Sequence, residues 1–366
     1  FSLSRPRNLS VEVNGDIFHN LHLFANPIDK FRPSDKEIQR ALKKKKGSNL
    51  IYFGPGVHNL PNDTLFVPSG TTVYIDGGAR VYGNIFTEGA HDVNIFGRGE
   101  VHPDGRGAGV WVRRSKNVRI DGIVVSQLPI GQCDSVELTN VKSISYYGWG
   151  DGMDVFSSSN VILDGVFCRN SDDCAAVYAS TQGFKGGSNN VLVKNATLWA
   201  DVAHPINIGG HGDPNGMDTV QNVTFRNIDI LDQAEKQVDY QGCLAINPGD
   251  NTLVRNITFE NIRIEDFRNG QLVNFRISFN PKYCVSTGRG IQNVLVKDVT
   301  YNGSGENLSI IAGYDENHKI SGIRFVNLVV NGRKITDDMP GKPKWYKTGD
   351  MAGIFVGEHV ENLSFE

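Results

Sequence analysis

Three carboxylates dominate the stretch GWGDGMDVFSSSNVILDGVFCRNSDDC, residues 148 to 174: Asp151, Asp172 and Asp173, in a segment otherwise made of Gly, Ser, Asn and β-branched residues. Carboxylates forced together repel, so at least one keeps its proton near neutrality while its neighbours stay ionised. A proton donor beside a base is what hydrolysis of a glycosidic bond requires. Neighbours in a flat strand point to opposite faces, so Asp172 and Asp173 share a site only if the backbone bends, and NSDDC reads as such a bend. Asp154 and Asp164 fall in a strand and at a bend of a repeat, and we read both as structural.

The elements that would gather these acids are repeats. NVRIDGIVV (from 117), NVILDGVFC (160), NVLVKNATL (190), NVTFRNIDI (222), NITFENIRI (256), NVLVKDVTY (293) and GIRFVNLVV (322) share one template of alternating apolar and polar positions broken by Asn, Asp or Gly. Period-two alternation makes strands with one buried face. From Asn160 onward the starts lie 30, 32, 34 and 37 residues apart, too irregular for propeller blades and natural for coils with loops of varying length. The expected fold is an all-β solenoid, a parallel β-helix with coils stacked at the ordinary inter-strand spacing. Asp151 and Asp172 are 21 residues apart, so a compact coil would set them side by side on neighbouring turns. Asn recurs because it tolerates left-handed backbone at bends and its amide can bond its equivalent one coil away.

Before the repeats, Ser34 and Glu37 form a predicted capping box for a helix with Ile38, Ala41 and Leu42 on one face and Gly47 at its end. That helix would cover the open first coil. Residues 1–33 read as a short leading β segment, the remainder of a small N-terminal domain, and 34–366 as the solenoid. The start at Phe1 without Met fits a processed chain, and NLSFE at the end begins a further repeat, so more residues are expected beyond it. Net charge is -3 and mean hydropathy -0.29. No basic stripe points to nucleic acid, no apolar run is long enough for a membrane helix, and KKKK at 43 to 46 reads as a solvated face. The cysteines, Cys133, Cys168, Cys174, Cys243 and Cys284, are odd in number without a CxxC, and are expected as small buried thiols. Asn-x-Ser/Thr sequons such as Asn195, Asn222 and Asn256 belong to the repeat and are discounted as glycosylation sites.

GDGMDVFSSSNVILDGVFCRNSDDCAAVY resembles the segment of glycoside hydrolase family 28, the polygalacturonase family, that reads Asn-Thr-Asp-Gly-Ile-Asp, a strand, then Gly-Asp-Asp-Cys-Ile-Ala. LIYFGPGVHNLPNDTLFVPSGTTVYIDGGARVYG and DVNIFGRGEVHPDGRG are similar to the family's early coils, and AHPINIGGHGD lies where the family has Gly-His-Gly-x-Ser-Ile-Gly-Ser. The likeness spans roughly residues 34–330. It implies a right-handed helix and an inverting hydrolase of a polysaccharide or oligosaccharide, secreted or periplasmic, with no metal or other cofactor. By the same resemblance Asp172 is the general acid, Asp151 and Asp173 activate water, and His204 is the active-site histidine supporting the acid's protonation state. His211 is an extra histidine in the same stretch and a candidate substrate-binding residue.

Two departures bear on substrate. Trp149-Gly150 replaces the family's Asn-Thr, and sugar rings stack on aromatic faces such as Trp149. The family's Arg-Ile-Lys, whose cations grip galacturonate, should fall near GCLAINPGD, residues 242–250, where no cation stands. Plain polygalacturonate is therefore not the expected substrate. Lys185, Arg276 and Lys282 are the candidates to replace that clamp for an anionic glycan. Glycoside hydrolase family 49, the dextranase and isopullulanase family, is a more distant likeness. Two rival readings are a β-helical polysaccharide lyase, with calcium held by Asp151, Asp172, Asp173 and Asp213, and a non-catalytic glycan-binding or adhesion solenoid. A metal hydrolase on His204, His211 and Asp213 is weaker than either.

Overall fold

The structure, a computed structural model, describes all of the 366-residue chain except residues 44–46, 104 and 305. Three lysines of KKKK thus lie outside the described residues. From Leu50 onward the chain winds as a parallel β-helix with three strand-bearing faces. Face A runs through Lys116–Asp121, Asp134–Thr139, Ser159–Asp164 and Ser188–Lys194; face B through Lys142–Ile144, Phe167–Asn170 and Thr197–Ala200; face C through Ile130–Gly131, Met153–Phe156, Ala175–Tyr178, Ile206–Ile208, Leu244–Ile246 and Val273–Arg276. Each strand pairs in parallel with the coil before and the coil after. Later, faces A and B join in single bent strands such as Leu253–Ile264.

Register explains why these residues make this fold. Val118, Val136, Val161, Val191, Val223, Ile257, Val294 and Ile323 lie level on successive coils, all buried. Each β-branched side chain therefore packs on its copy above and below, with about 1.5–3 kcal/mol per buried side chain from the transfer out of water. The bend that resets every coil is held by a ladder: Asn190 donates to Asn160, Asn222 to Asn189, Asn256 to Asn222 and Asn293 to Asn256, at 2.7–3.2 Å. Asn160, Asn190, Asn222, Asn256 and Asn293 all hold φ between 55° and 57°, the left-handed region that Asn accepts more readily than other side chains. The ladder amides are occupied by neighbouring coils. Asn222→Ala is expected to lower unfolding free energy by about 1–2 kcal/mol, from the strained φ and the broken ladder. Asn222→Gly, which relieves the φ alone, should recover part of that, as read by urea denaturation.

The helix Asp35–Leu42 starts at the Ser34–Glu37 capping box, with Ser34 N–H donating to Glu37 Oε2 at 2.8 Å. It ends at Leu42, before Gly47, and buries only Ile38 of the predicted apolar face; Leu42 is exposed. The leader forms an antiparallel hairpin, Arg7–Val13 with Asp16–Ala25. It lies on face B, where buried Arg169 donates to Asn20 Oδ1 and Ile17 O, both at 2.9 Å, and Phe24 meets Phe167 edge-on. All five cysteines are free, and four are buried.

Candidate active site

The acids meet where face B turns into face C. Met153 is level with Ala175, and Ala175 with Ile206, so Asp151, Asp173 and His204 occupy equivalent places on three successive coils. The local offset from Asp151 to Asp173 is thus 22 residues, although face A advances 25 between Val136 and Val161 and 30 between Val161 and Val191. Coil length is not uniform around the helix, and only the register at this face sets the site. Gly152 makes the approach possible: its N–H donates to Asp173 O at 2.8 Å, and a side chain there would collide with the Cys174 carbonyl. Asn170 Nδ2 holds the Asp151 carbonyl at 3.1 Å. The backbone bends at Ser171 and Asp172, and the Asp173 N–H caps Asp172 Oδ1 at 3.0 Å, so both acids turn to one side.

One oxygen from each of Asp151, Asp172 and Asp173 lies within 4.8 Å of the others. Their surroundings divide them. Burial would raise Asp173, but His204 Nδ1 at 2.7 Å, Tyr178 OH at 2.5 Å and Asn207 Nδ2 at 2.8 Å outweigh it and hold its pKa below the usual carboxylate range. Because an ionised carboxylate only accepts, the hydrogen between His204 and Asp173 sits on Nδ1. Asp172 is pushed up to about 7, first by burial and then by the charge of Asp173. Burial, followed by the charges of Asp172 and Asp173, also raises Asp151 well above the ordinary value. The cluster therefore contains a firmly ionised acid, Asp173, beside Asp172, which holds its proton to about 7, and Asp151, whose affinity for a proton is raised.

A groove of about 460 Å³ runs over these residues. Its floor includes Asp154, Phe156, Tyr178 and Asn207, which face outward, whereas Met153, Val155, Ala175, Val177, Ile206 and Ile208 belong to the core. Asp154 was read as structural; it lines this floor, buried, with its pKa raised by burial and by Asp151. Buried Asp154 Oδ1, Asn207 Oδ1, Asn247 Oδ1 and His204 Nε2 have no partner within the protein, which leaves them for a bound molecule or water. Asn207, Asn247, Glu235 and Asp239 were not singled out from sequence. The one polar residue in the strand Ile206–Ile208 was an available signal for Asn207, while Glu235 in a loop and Asp239 in the short 3-10 turn Val238–Tyr240 follow no repeat pattern.

Of the candidate binding residues, Trp149 and His211 line the groove. Trp149 is 72% exposed at φ 56°, a left-handed backbone that stands its indole at the rim. His211 meets the Tyr178 ring edge-on at 5.1 Å, and burial lowers its pKa. The three cations do not line it. Lys185 pairs with Asp213 at 3.5 Å, Arg276 is bound to Asp239, and Lys282 lies over the rings of Tyr283 and Tyr240 at 4.8 and 5.9 Å. Ala245 stands level with Asn207, where the clamp was sought. Among the described residues the groove lining holds no Lys or Arg and six carboxylates, Asp151, Asp154, Asp172, Asp173, Glu235 and Asp239.

The model of glycosyl hydrolases family 28 matches residues 109–340, well over half of the chain and the whole of this site. The chain belongs to glycosyl hydrolases family 28. Within that family of inverting glycosidases, a polygalacturonase of Juniperus ashei is 26% identical over 295 residues, 71% of this chain and 54% of its own length. The chain spans about half the length of the curated relatives it matches. In fold it is similar to the family 28 exopolygalacturonase of Yersinia enterocolitica, with TM-score 0.62 and 14% identity over 94% of this chain and 79% of that one. Dex49A of Penicillium minioluteum, a family 49 enzyme, follows with TM-score 0.59 and 15% identity over 87% and 60%. At these identities the two structures show the shared β-helix alone.

Proposed function

We propose that this protein hydrolyses glycosidic bonds with inversion, in a glycan whose sugar beside Asp172 carries no carboxylate, and that it meets that glycan outside the cytoplasm. The observation that carries the reaction is the split within the cluster, Asp173 held ionised while Asp172 is pushed up to about 7. Asp172 gives its proton to the glycosidic oxygen as the bond to the anomeric carbon breaks. Water adds to that carbon and surrenders a proton to Asp151 in its carboxylate form, which its raised proton affinity makes the better acceptor. The products are a new reducing end and a leaving sugar with a free hydroxyl, and the site resets as Asp151 gives up its proton and Asp172 regains one through solvent.

The lining supports the substrate class. A uronate needs a cation, best a bidentate one, to offset its charge, and this groove presents carboxylates instead. Calcium chemistry is disfavoured by the donors around Asp173. It accepts from His204 Nδ1, the His204 N–H, Tyr178 and Asn207, which fills its four lone-pair sites.

The test is reducing-end release from dextran, pullulan, polygalacturonate and sulfated galactans, with the first-formed anomer followed by proton NMR. A neutral polymer is expected to be cut faster than polygalacturonate, with inverted configuration. Preference for polygalacturonate would overturn the substrate class. A retained anomer would overturn the water-attack mechanism, an informative outcome because carboxyl oxygens within 4.8 Å are closer than the ~6.5–9.5 Å usual for inverting pairs.

A further inference from the structure

On the C-terminal side of the acids, the two rims of the groove are joined. Residues 237–241 precede the face C strand Leu244–Ile246, and residues 278–284 follow the next one, Val273–Arg276, so the two segments rise from opposite edges of face C. They meet above it. Asn280 Nδ2 donates to Tyr240 OH at 2.8 Å, the Tyr240 and Tyr283 rings contact edge-on at 5.1 Å, and Arg276 binds Asp239.

Both ends of this strap are anchored. Glu235 accepts from the Gln237 N–H at 2.7 Å, and Gln241 Nε2 returns to the Glu235 carbonyl at 2.6 Å. On the other rim Asp250 Oδ1 accepts the Val285 N–H at 2.8 Å, and Asn280 Oδ1 caps the Lys282 N–H of its own turn. The strap is also close to the chemistry: the Tyr240 ring centre is 6.4 Å from that of His204, itself bonded to Asp173. On the N-terminal side Trp149 stands in solvent.

We propose that the strap makes the groove a pocket blocked on one side of Asp172, so that the protein cuts glycan chains from an end and releases short products. This rests on the hydrolase reading above. A polymer threaded along face C would have to pass through the Tyr240–Asn280 contact, so only a chain terminus can reach the acids with sugars seated on both sides of the broken bond.

The experiment follows viscosity and product length together on whichever polymer of the panel is cut, with the same polymer's oligosaccharides reduced at one end to show which terminus is attacked. The native protein is expected to release mono- or disaccharide from the first time point, with viscosity falling several-fold less per bond cut than with an endo-acting control enzyme. Tyr240→Ala with Tyr283→Ala, which opens the strap, should add longer products and steepen the viscosity loss. Tyr240→Phe, which loses only the hydrogen bond, controls for folding and should stay nearer the native pattern. Mixed-length products and a rapid viscosity fall from the native protein would overturn the strap's role and leave the hydrolase reading intact. No cleavage of any polymer or oligosaccharide by native or opened protein would overturn both.

Discussion

Asp172→Asn is expected to lower kcat by about 10²–10⁴, the usual contribution of a positioned general acid, with KM little changed. The same substitution should make the protein more stable above neutral pH. An unfolded Asp releases its proton near 3.8, whereas folded Asp172 keeps it to about 7. Between those values the folded state binds the extra proton, so this group's contribution to stability falls as pH rises from about 4 through 7 and is lowest above that. Asn carries no charge into the groove, and its oxygen can still accept the Asp173 N–H. Melting curves should therefore place the variant above the native protein at pH 8, with the gap closing toward pH 4. Activity within a few-fold of native would remove Asp172 from the acid role. A folded, inactive variant without the stability gain would remove burial as the source of its raised pKa.

Asp173→Asn is expected to act in two ways at once. It deletes the charge that helps hold Asp172 up, so the alkaline limb of the kcat profile should move to lower pH. It also breaks the buried pair with His204, which lies 2% exposed, and leaves an amide facing the donors of Tyr178 and Asn207. Loss of one partner of such a pair costs about 3–5 kcal/mol, so the variant should melt well below native. A rate loss of about 10²-fold or more is also expected at neutral pH, because the charge that helps keep Asp172 protonated is gone. An alkaline limb unmoved in a folded variant would show that burial alone sets the Asp172 proton. Native stability would show that His204 is held by something other than Asp173.

The repeats were legible where Asn marks the bend, because only a few side chains tolerate that φ. The coils at His91–Gly97 and Asp134–Thr139 escaped the template since Asp92 and Ser135 take the same left-handed place, at φ 56° and 60°. The Asp151–Asp172–Asp173 grouping was legible because stacked coils turn sequence spacing into adjacency. The place of Asp154 on the groove floor was not legible for want of parity: alternation says that Met153 and Asp154 face opposite ways without saying which faces the groove. The three cations illustrate a different limit. Lys185, Arg276 and Lys282 are near the site along the chain, but a loop's direction depends on what it docks against, here Asp213, Asp239 and the paired tyrosines. Nor can spacing show that segments 37 and more residues apart close over one another, as Tyr240 and Asn280 do.

The Asn-locked bends have an implication for how such a molecule changes over generations. From Val118 to Val136 a coil takes 18 residues, and from Ile323 to Leu363 it takes 40, yet both land in register on the same stack. Insertions and deletions are absorbed between the strands while the ladder restores phase at the start of each turn. The segments free to vary in length thus include those bordering face C, which carry Trp149, Asp239 and Tyr283. A lineage can rebuild the walls of its groove, or an engineer can graft new ones, without renegotiating the core that holds the three aspartates together.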